Sequence, residues 1–388
     1  MTRLLPLLLA LALLGPAHAD GWQAVPTPMR DGRWAPAFCL LPGGQSALIC
    51  GGYSYETSAC VASADRFDER TRRFVPCRAR LTYPRDFAVA VPLPGGSVLV
   101  VGGYNTVLGS LRTAEVYHPQ SDTFQVLPAS LSIARELFTA TVLDDGSVLL
   151  VGGFNTHAHK TQASAEVFSP RTQLFTLGAS HLAEDRFGHA ACRLADGRVL
   201  IVGGTHWRVG LPTTVLATAE IYEPRTGKFH RTAGRMSTPR DRPTASLLPD
   251  GTVLIAGGQN GSDGPRAAEL FHPDTETFSP LPDKLGAARM AHADIALPDG
   301  RILLAGGWGP DAHGTLPSVE VFDPQTQTFA FGPALPWSAH DLALLRFPSG
   351  LVLAAGGKQV GNGRETSVHQ AAVWMPEWPP RPNPGEHD

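Results

Sequence analysis

Five arginines recur at a fixed spacing and are the first candidates for chemistry. Each arginine lies 17 residues before a Gly-Gly doublet; the five are Arg85, Arg135, Arg186, Arg240 and Arg289. In the same five repeats a glutamate follows the doublet; these are Glu115, Glu166, Glu220, Glu269 and Glu320. Repeat one has Trp34, next to Arg33, at the arginine position and Asp65 at the glutamate position. Repeat seven has Ala339 and Ala372 at these two positions. Arginines on one face could bind an anion. Because the two residue types occur together and buried charges are usually paired, we predict structural ion pairs instead.

Other titratable side chains offer weaker candidates for a site. Asp86, Glu136 and Asp241 each follow the arginine of their repeat, where a carboxyl group could serve as a general acid or base. Three histidines lie in variable segments: His157, His159 and His206. Solvated loop histidines are more common than metal ligands, so we predict no metal site and no cofactor.

The residues just after the doublets combine aromatic rings with amides. They suit recognition of a carbohydrate or peptide, because rings stack and amides form paired hydrogen bonds. Local packing within loops is the alternative interpretation. The predicted ligand-binding residues are Tyr53, Tyr104, Asn105, Phe154, Asn155, His206, Trp207, Asn260 and Trp308.

Four of the five cysteines fall in the first repeat, and an exported protein can keep disulfides. Cys39 and Cys50 flank one turn, and Cys60 and Cys77 flank the next, so we predict two disulfides, Cys39–Cys50 and Cys60–Cys77. A zinc site is the alternative, although the spacing lacks the close cysteine pairs of such sites. We expect Cys192 to be a buried, free thiol.

A repeat of about 50 residues must position these side chains. Seven Gly-Gly doublets begin at Gly51, Gly102, Gly152, Gly203, Gly257, Gly306 and Gly356. Each follows an apolar run of strand-forming residues, such as "SVLVV" and "RILLA", and each run follows a glycine turn such as "PDG". A third strand, such as "TAEVYHP", and a fourth that opens on an aromatic residue complete the unit. Four antiparallel strands per repeat predict one blade of a β-propeller.

The doublets, the Glu-x-(Tyr/Phe)-x-Pro segments and the aromatic series resemble the kelch superfamily. The segment "LPDGRILLAGG" is similar to repeats in the propeller of galactose oxidase. The galactose oxidase resemblance implies a copper site with tyrosine and histidine ligands. The chain has six tyrosines, four of them in repeat motifs or loops, so we expect no copper-radical chemistry.

Strand counting predicts an all-β, seven-bladed kelch propeller with four antiparallel strands per blade. Six fourth strands lie inside the chain, and "GWQAVPTP" near the amino terminus supplies the seventh. We therefore expect residues 21–26 to join the blade formed by residues 340–376, since an unpaired edge would be a liability. The predicted divisions are a signal peptide over 1–19, the propeller over 20–376 and a Pro-rich tail over 377–388.

The amino terminus and the overall charge bear on location and partners. Arg3, an apolar run from Leu4 to Leu14 and the sequence Ala17-His18-Ala19 are typical of a signal peptide cleaved near Ala19. We therefore expect a periplasmic or extracellular protein with no membrane span in the mature chain. The formal net charge of −3 and the lack of a basic block argue against nucleic acid as a partner. We expect a monomer.

The repeat pattern fits both enzymes and binding proteins. The leading interpretation is an exported, non-enzymatic binding or interaction module that recognises a carbohydrate or a protein or peptide ligand on the face of the variable loops. The alternative is a carbohydrate-active enzyme, a sugar epimerase or mutarotase or a galactose oxidase-like protein, that uses residues at the channel mouth.

Overall fold

A computed structural model describes residues 21–261, 264–361 and 363–376. The predicted signal peptide and the predicted Pro-rich tail lie outside the described residues. Asp20, at the start of the predicted propeller, also lies outside them. The described residues contain no helix, and therefore none that could cross a membrane.

Seven four-stranded antiparallel sheets form the blades of a propeller, which confirms the predicted fold class. The strands of blades one to four, in order from first to fourth within each blade, are Ala37–Leu40, Ser46–Cys50, Ala64–Asp68 and Arg73–Pro76; Val89–Pro92, Val98–Val101, Ala114–His118 and Thr123–Val126; Thr139–Val142, Val148–Val151, Ala165–Ser169 and Leu174–Leu177; Ala190–Arg193, Val199–Val202, Ala219–Glu223 and Lys228–Arg231. Those of blades five to seven are Thr244–Leu247, Val253–Ala256, Ala267–His272 and Thr277–Lys284; Ala293–Ala296, Ile302–Ala305, Val319–Asp323 and Thr328–Gly332; Ala343–Arg346, Val352–Ala355, Ala371–Trp374 and Gln23–Ala24.

Blade seven takes its fourth strand from the amino-terminal part of the described chain. Gln23 pairs with Val373 and Ala24 with Ala372, both antiparallel. Trp22 precedes this strand, packs on Trp374 at 5.6 Å between ring centroids and donates from Nε1 to the Pro333 carbonyl at 3.0 Å. The two ends of the described chain therefore meet in one sheet.

The second strand of each blade lies between the neighbouring sheets, and its apolar residues are buried on both faces. This burial explains why the runs before the doublets are apolar throughout rather than alternating. The doublets join blade to blade: Gly153 N–H donates to the Arg186 carbonyl at 2.9 Å, and Gly357 N–H donates to the Arg33 carbonyl at 2.8 Å. A side chain at Gly152 would have its Cβ 2.6 Å from the Arg186 carbonyl oxygen, so glycine is required there.

The predicted ion pairs form within each blade and are fully buried. Distances from the arginine Nη2 to a glutamate oxygen run from 2.6 Å for Arg289–Glu320 to 3.1 Å for Arg186–Glu220. Each of these arginines also donates to the carbonyl of the first glycine of its doublet, as Arg135 does to Gly152 at 2.7 Å. These contacts use the guanidinium groups inside the blades, so the arginines do not form an anion site.

Repeat one contains a sixth pair, Arg33–Asp65, with 2.6 Å between the charged atoms. Gln45 is the extra residue in the turn of this repeat, which moves the arginine one position away from the spacing of the others. Blade seven has Ala339 and Ala372 instead of a pair, and there Trp337 Nε1 donates to the Gly356 carbonyl at 3.3 Å. The Trp337 indole thus donates to the first glycine of its doublet, as the arginine does in the other blades.

The two predicted disulfides are wrong, because all five cysteines are free and buried. Cys39 lies opposite Leu48 and Cys50 lies opposite Ala37, so the two cysteines are offset by two residues in the ladder. Diagonal neighbours of this kind are about 7–8 Å apart at Cα, beyond the usual reach of a disulfide. Cys60 pairs with Tyr53 in a small hairpin, whereas the Cys77 sulfur lies 3.6 Å from the Tyr117 hydroxyl.

Candidate functional site

The side of the propeller that carries the connections between second and third strands is called the loop face here. Among the described residues, six of these connections contain a two-stranded hairpin. The hairpins are Tyr53–Ser54 with Ala59–Cys60, Tyr104–Asn105 with Gly109–Ser110, Phe154–Asn155 with Lys160–Thr161, Thr205–His206 with Thr214–Val215, Trp308–Gly309 with Gly314–Thr315, and Lys358–Gly361 with Arg364–Ser367. The residue after each doublet forms a β-bridge to the residue that follows the arginine position of the same repeat. The seven bridges are Trp34–Tyr53, Asp86–Tyr104, Glu136–Phe154, Phe187–Thr205, Asp241–Gln259, Met290–Trp308 and His340–Lys358.

This register brings the predicted binding residues and the predicted acid–base residues together. Tyr104 lies beside Asp86, and Phe154 lies beside Glu136. The aromatic rings at Tyr53, Tyr104, Phe154 and Trp308 are all partly exposed. On the loop face the partly exposed rings therefore lie beside buried carboxyl groups.

The amides of Asn105 and Asn155 are used inside their own hairpins. Asn105 is buried, donates to the Pro84 carbonyl at 2.6 Å and accepts the N–H groups of Val107 and Leu108 at 2.9 Å. Asn155 accepts the N–H of Ala158 at 3.1 Å. Their contacts match the local-packing interpretation, whereas Asn260 is exposed at the surface.

His206 and Trp207 belong to a cluster between blades three and four. His206 Nδ1 lies 2.5 Å from Asp185 Oδ1, and Thr161 donates to the other carboxylate oxygen at 2.9 Å. Trp207 packs against Phe154 with 5.3 Å between ring centroids. The sequence contained no signal for Asp185, because it lies 21 residues before its histidine.

A second aromatic cluster, centred on Trp34, lies at the junction of blades seven, one and two. The Trp34 ring contacts Tyr53 at 6.0 Å, Phe87 at 5.1 Å and Tyr55 at 6.0 Å between centroids. The Lys358 ammonium lies 4.8 Å from the Trp34 centroid and forms a 2.8 Å ion pair with Glu365. Of this cluster only Tyr53 was among the predicted ligand-binding residues; Trp34, Tyr55 and Phe87 were not.

The channel mouth is a ring of residues two places after each arginine position. Ala35, Phe87, Leu137, Arg242, Ala291 and Asp341 all have φ between 47° and 52°, and the seventh member is Gly188 at 62°. This left-handed conformation is unfavourable for residues other than glycine. Backbone hydrogen bonds between successive members help to hold it, as from Arg242 N–H to Gly188 at 2.8 Å and from Asp341 N–H to Ala291 at 2.8 Å.

Arg242 and Asp341 join two members of this ring that are separated only by Ala291. Arg242 Nη1 lies 3.2 Å from Asp341 Oδ2, and its guanidinium lies 5.5 Å from the Phe87 ring centroid. The same carboxylate oxygen accepts Trp34 Nε1 at 2.9 Å and His340 Nδ1 at 2.8 Å. Although burial opposes ionisation, the Arg242 charge and these donors lower the pKa of Asp341 to about 2.

The pKa values of Asp86 and Glu136 are shifted in the opposite direction to that of Asp341. Burial raises the pKa of each to about 7, and among the described residues neither forms an ion pair. Glu136 accepts a hydrogen bond from the Ser110 hydroxyl at 3.1 Å, while Asp86 Oδ1 has no hydrogen-bond partner in the described structure. Both carboxyls can therefore hold or release a proton near neutral pH.

Among solved structures, the fold is similar to a fungal alcohol oxidase of the AA5 family in complex with copper. The TM-score is 0.70 at 16% sequence identity, and the match covers 92% of this chain and 77% of that one. No curated protein matches the sequence.

The donor groups at the channel mouth do not fit a copper centre. His340 Nδ1 is hydrogen-bonded to Asp341, which also pairs with Arg242, so both side chains are already engaged. Within the described part of the chain, His, Cys, Asp and Glu side chains nowhere gather in threes that could hold a metal ion. No copper-dependent step is assigned to this protein.

The family model for the Kelch motif matches residues 88–129 and 289–336. These segments begin at the first strand of blade two and at the arginine before blade six. The two matches and the seven four-stranded blades fit the kelch-repeat β-propeller superfamily.

Proposed function

We propose that this protein is a binding module that recognises a carbohydrate or a peptide at the centre of its loop face. The observation that carries the proposal is the aromatic cluster around Trp34, which lies next to a hydrogen-bonded polar network on Asp341 at the mouth of the channel. Partly exposed rings offer stacking surfaces at low entropic cost, and a fixed polar network orients a ligand.

The variety of the loop face supports the same proposal. The seven residues after the doublets are Tyr, Tyr, Phe, Thr, Gln, Trp and Lys, although the backbone around them repeats. The turns on the opposite face are short and similar to one another. A repeated scaffold whose loop face differs from repeat to repeat is suited to selective binding.

A glycan and peptide binding screen followed by substitution tests this proposal. Replacing Tyr104 and Trp308 by alanine should abolish binding of any ligand found, with little change in the melting temperature. Substitution of Val126, which is exposed on an outer strand, is a control that should leave binding intact. If binding survives both loop-face substitutions and instead depends on the opposite face, the proposal is wrong.

A second candidate function is supported by Asp86 and Glu136. Buried carboxyls whose pKa is raised to about 7 are suited to general acid–base catalysis, as in a sugar epimerase or mutarotase. NMR of a sugar panel in D₂O would detect accelerated anomerisation or exchange of ring protons. Loss of that activity in both Asp86→Asn and Glu136→Gln would favour the enzyme, whereas no activity on any sugar leaves the binding module as the better proposal.

We also propose that the protein is exported and acts as a monomer. The signal-like sequence ahead of Asp20 supports export. Amino-terminal sequencing of protein recovered from the cell envelope should find a chain that begins near Asp20. Light scattering of the purified protein should give the mass of a single chain.

A further inference from the structure

The central channel contains a cavity of about 420 Å³ at its mouth. All seven residues of the mouth ring contribute to its upper wall. Below them the walls are mainly apolar, with side chains of Phe38, Val89, Phe138, Leu342 and Leu344. The volume lies within the range of cavities that bind small organic molecules.

Most polar groups around this cavity are electrically neutral or already paired. Arg242 and Asp341 neutralise each other at the mouth. His189 and His292 also line the cavity, and burial lowers the pKa of each to about 3, so both imidazoles are uncharged at neutral pH. Their Nε2 atoms bond to Thr139 and Thr244, at 2.8 and 3.0 Å.

Asp294 is the exception. It lies on the first strand of blade six, lines the cavity and bonds to the hydroxyl of Ser246. Among the described residues no basic side chain forms an ion pair with it, and burial raises its pKa. A carboxylate in an apolar cavity is costly unless a positive charge compensates it.

The surroundings of the mouth also favour a positive charge. Asp86, Glu136 and Asp241 lie around it, and none of the three has an ion pair in the described structure. Oxygen atoms of Asp86 and Asp241 are buried without a hydrogen-bond partner. When Asp86 and Glu136 are ionised, at pH above about 7, a cation that approaches the channel meets negative charge at the mouth as well as the carboxyl group of Asp294 in the wall below.

We propose that the channel cavity binds a small organic amine, whose ammonium group pairs with Asp294 and whose apolar body packs between Phe138 and Leu344. Arg242 is already paired with Asp341, so the ammonium supplies a partner for Asp294, and the apolar walls strengthen the pairing by lowering the local dielectric constant. This site lies below the loop-face ligand site and does not depend on it.

Isothermal titration of the purified full-length protein with matched aromatic probes tests the proposal. Benzylamine carries the expected charge, and benzyl alcohol has nearly the same shape without it. We expect saturable benzylamine binding that is at least tenfold tighter than that of benzyl alcohol. Absence of saturable benzylamine binding, or equal affinity for the two probes, overturns the proposal.

Substitution then identifies the carboxylate responsible. Asp294→Asn should weaken benzylamine binding at least tenfold while leaving benzyl alcohol unaffected, and Asp294→Ser is a second variant to which the same criterion applies. Asp274→Asn is the matched control, because it removes an exposed carboxylate between the third and fourth strands of blade five, on the opposite face. If the two Asp294 variants bind benzylamine as tightly as the control does, Asp294 is not the site.

Discussion

Removing one buried ion pair should reveal how the blades are held together. The Arg186 guanidinium is fully buried and donates to the carbonyls of Gly203 at 2.8 Å and Thr218 at 3.0 Å, as well as to Glu220 at 3.1 Å. Glu220 also accepts the N–H of Ala183 at 2.7 Å, so it fixes the segment that enters the blade. The pair therefore connects three parts of one repeat.

The structure sets the expected magnitudes. Arg186→Met leaves Glu220 charged and buried without a counterion, which should lower the free energy of unfolding by about 3–5 kcal/mol. Glu220→Gln keeps an acceptor for Ala183 but loses the charge, and should cost about 1.5–3 kcal/mol. Because the two side chains touch, the double variant should be more stable than additivity predicts by about 0.5–3 kcal/mol.

The assay is urea denaturation of the four proteins, followed by tryptophan fluorescence and far-UV circular dichroism. Glu166 supplies the matched control, because it pairs with Arg135 in blade three at 2.9 Å rather than with Arg186. Arg186 and Glu166 should therefore act additively, within about 0.5 kcal/mol. Additive behaviour of Arg186 and Glu220 would refute the reasoning, since it would mean that the arginine stabilises the blade through its carbonyl contacts alone.

Three further outcomes are expected. Deleting residues 21–28 removes the fourth strand of blade seven and should lower the melting temperature sharply; an unchanged melt would show that the pairing with Ala371–Trp374 contributes little. The five thiols should resist Ellman's reagent in the native protein and react after denaturation, and peptide mapping that finds a disulfide would contradict the structure. Asp86→Asn should raise the melting temperature at pH 8 but hardly at pH 4: the folded-state pKa of about 7 exceeds the ordinary 3.8, so ionisation lowers stability as the pH rises through that window. Equal shifts of the melting temperature at both pH values would argue against a raised pKa for Asp86.

The fold and the ion pairs could be predicted from sequence because both depend on local, repeated signals. Each strand, turn and doublet recurs every 50 residues or so, and arginine and glutamate occur together in the same repeats. The disulfides could not be predicted in the same way, because two residues that flank one turn need not face each other: Cys39 lies opposite Leu48, and Cys50 lies opposite Ala37. The contact between Arg242 and Asp341 spans 99 residues and two blades, and only the closed ring brings them together.

The candidate site shows where a repeated backbone leaves room for function. The bridge beside each doublet is present in all seven repeats, and the left-handed turn that follows it is present in all seven as well. The side chains on this constant backbone differ: carboxyls in blades two, three and five, tryptophan in blade one and histidine in blade seven. The bridge and the turn repeat in every blade, so the sectors of the channel mouth differ in these side chains and in the connections that follow the doublets. The aromatic cluster lies on one side of the mouth and Asp294 in the wall below it, so the two proposed sites offer different side chains and can be tested separately.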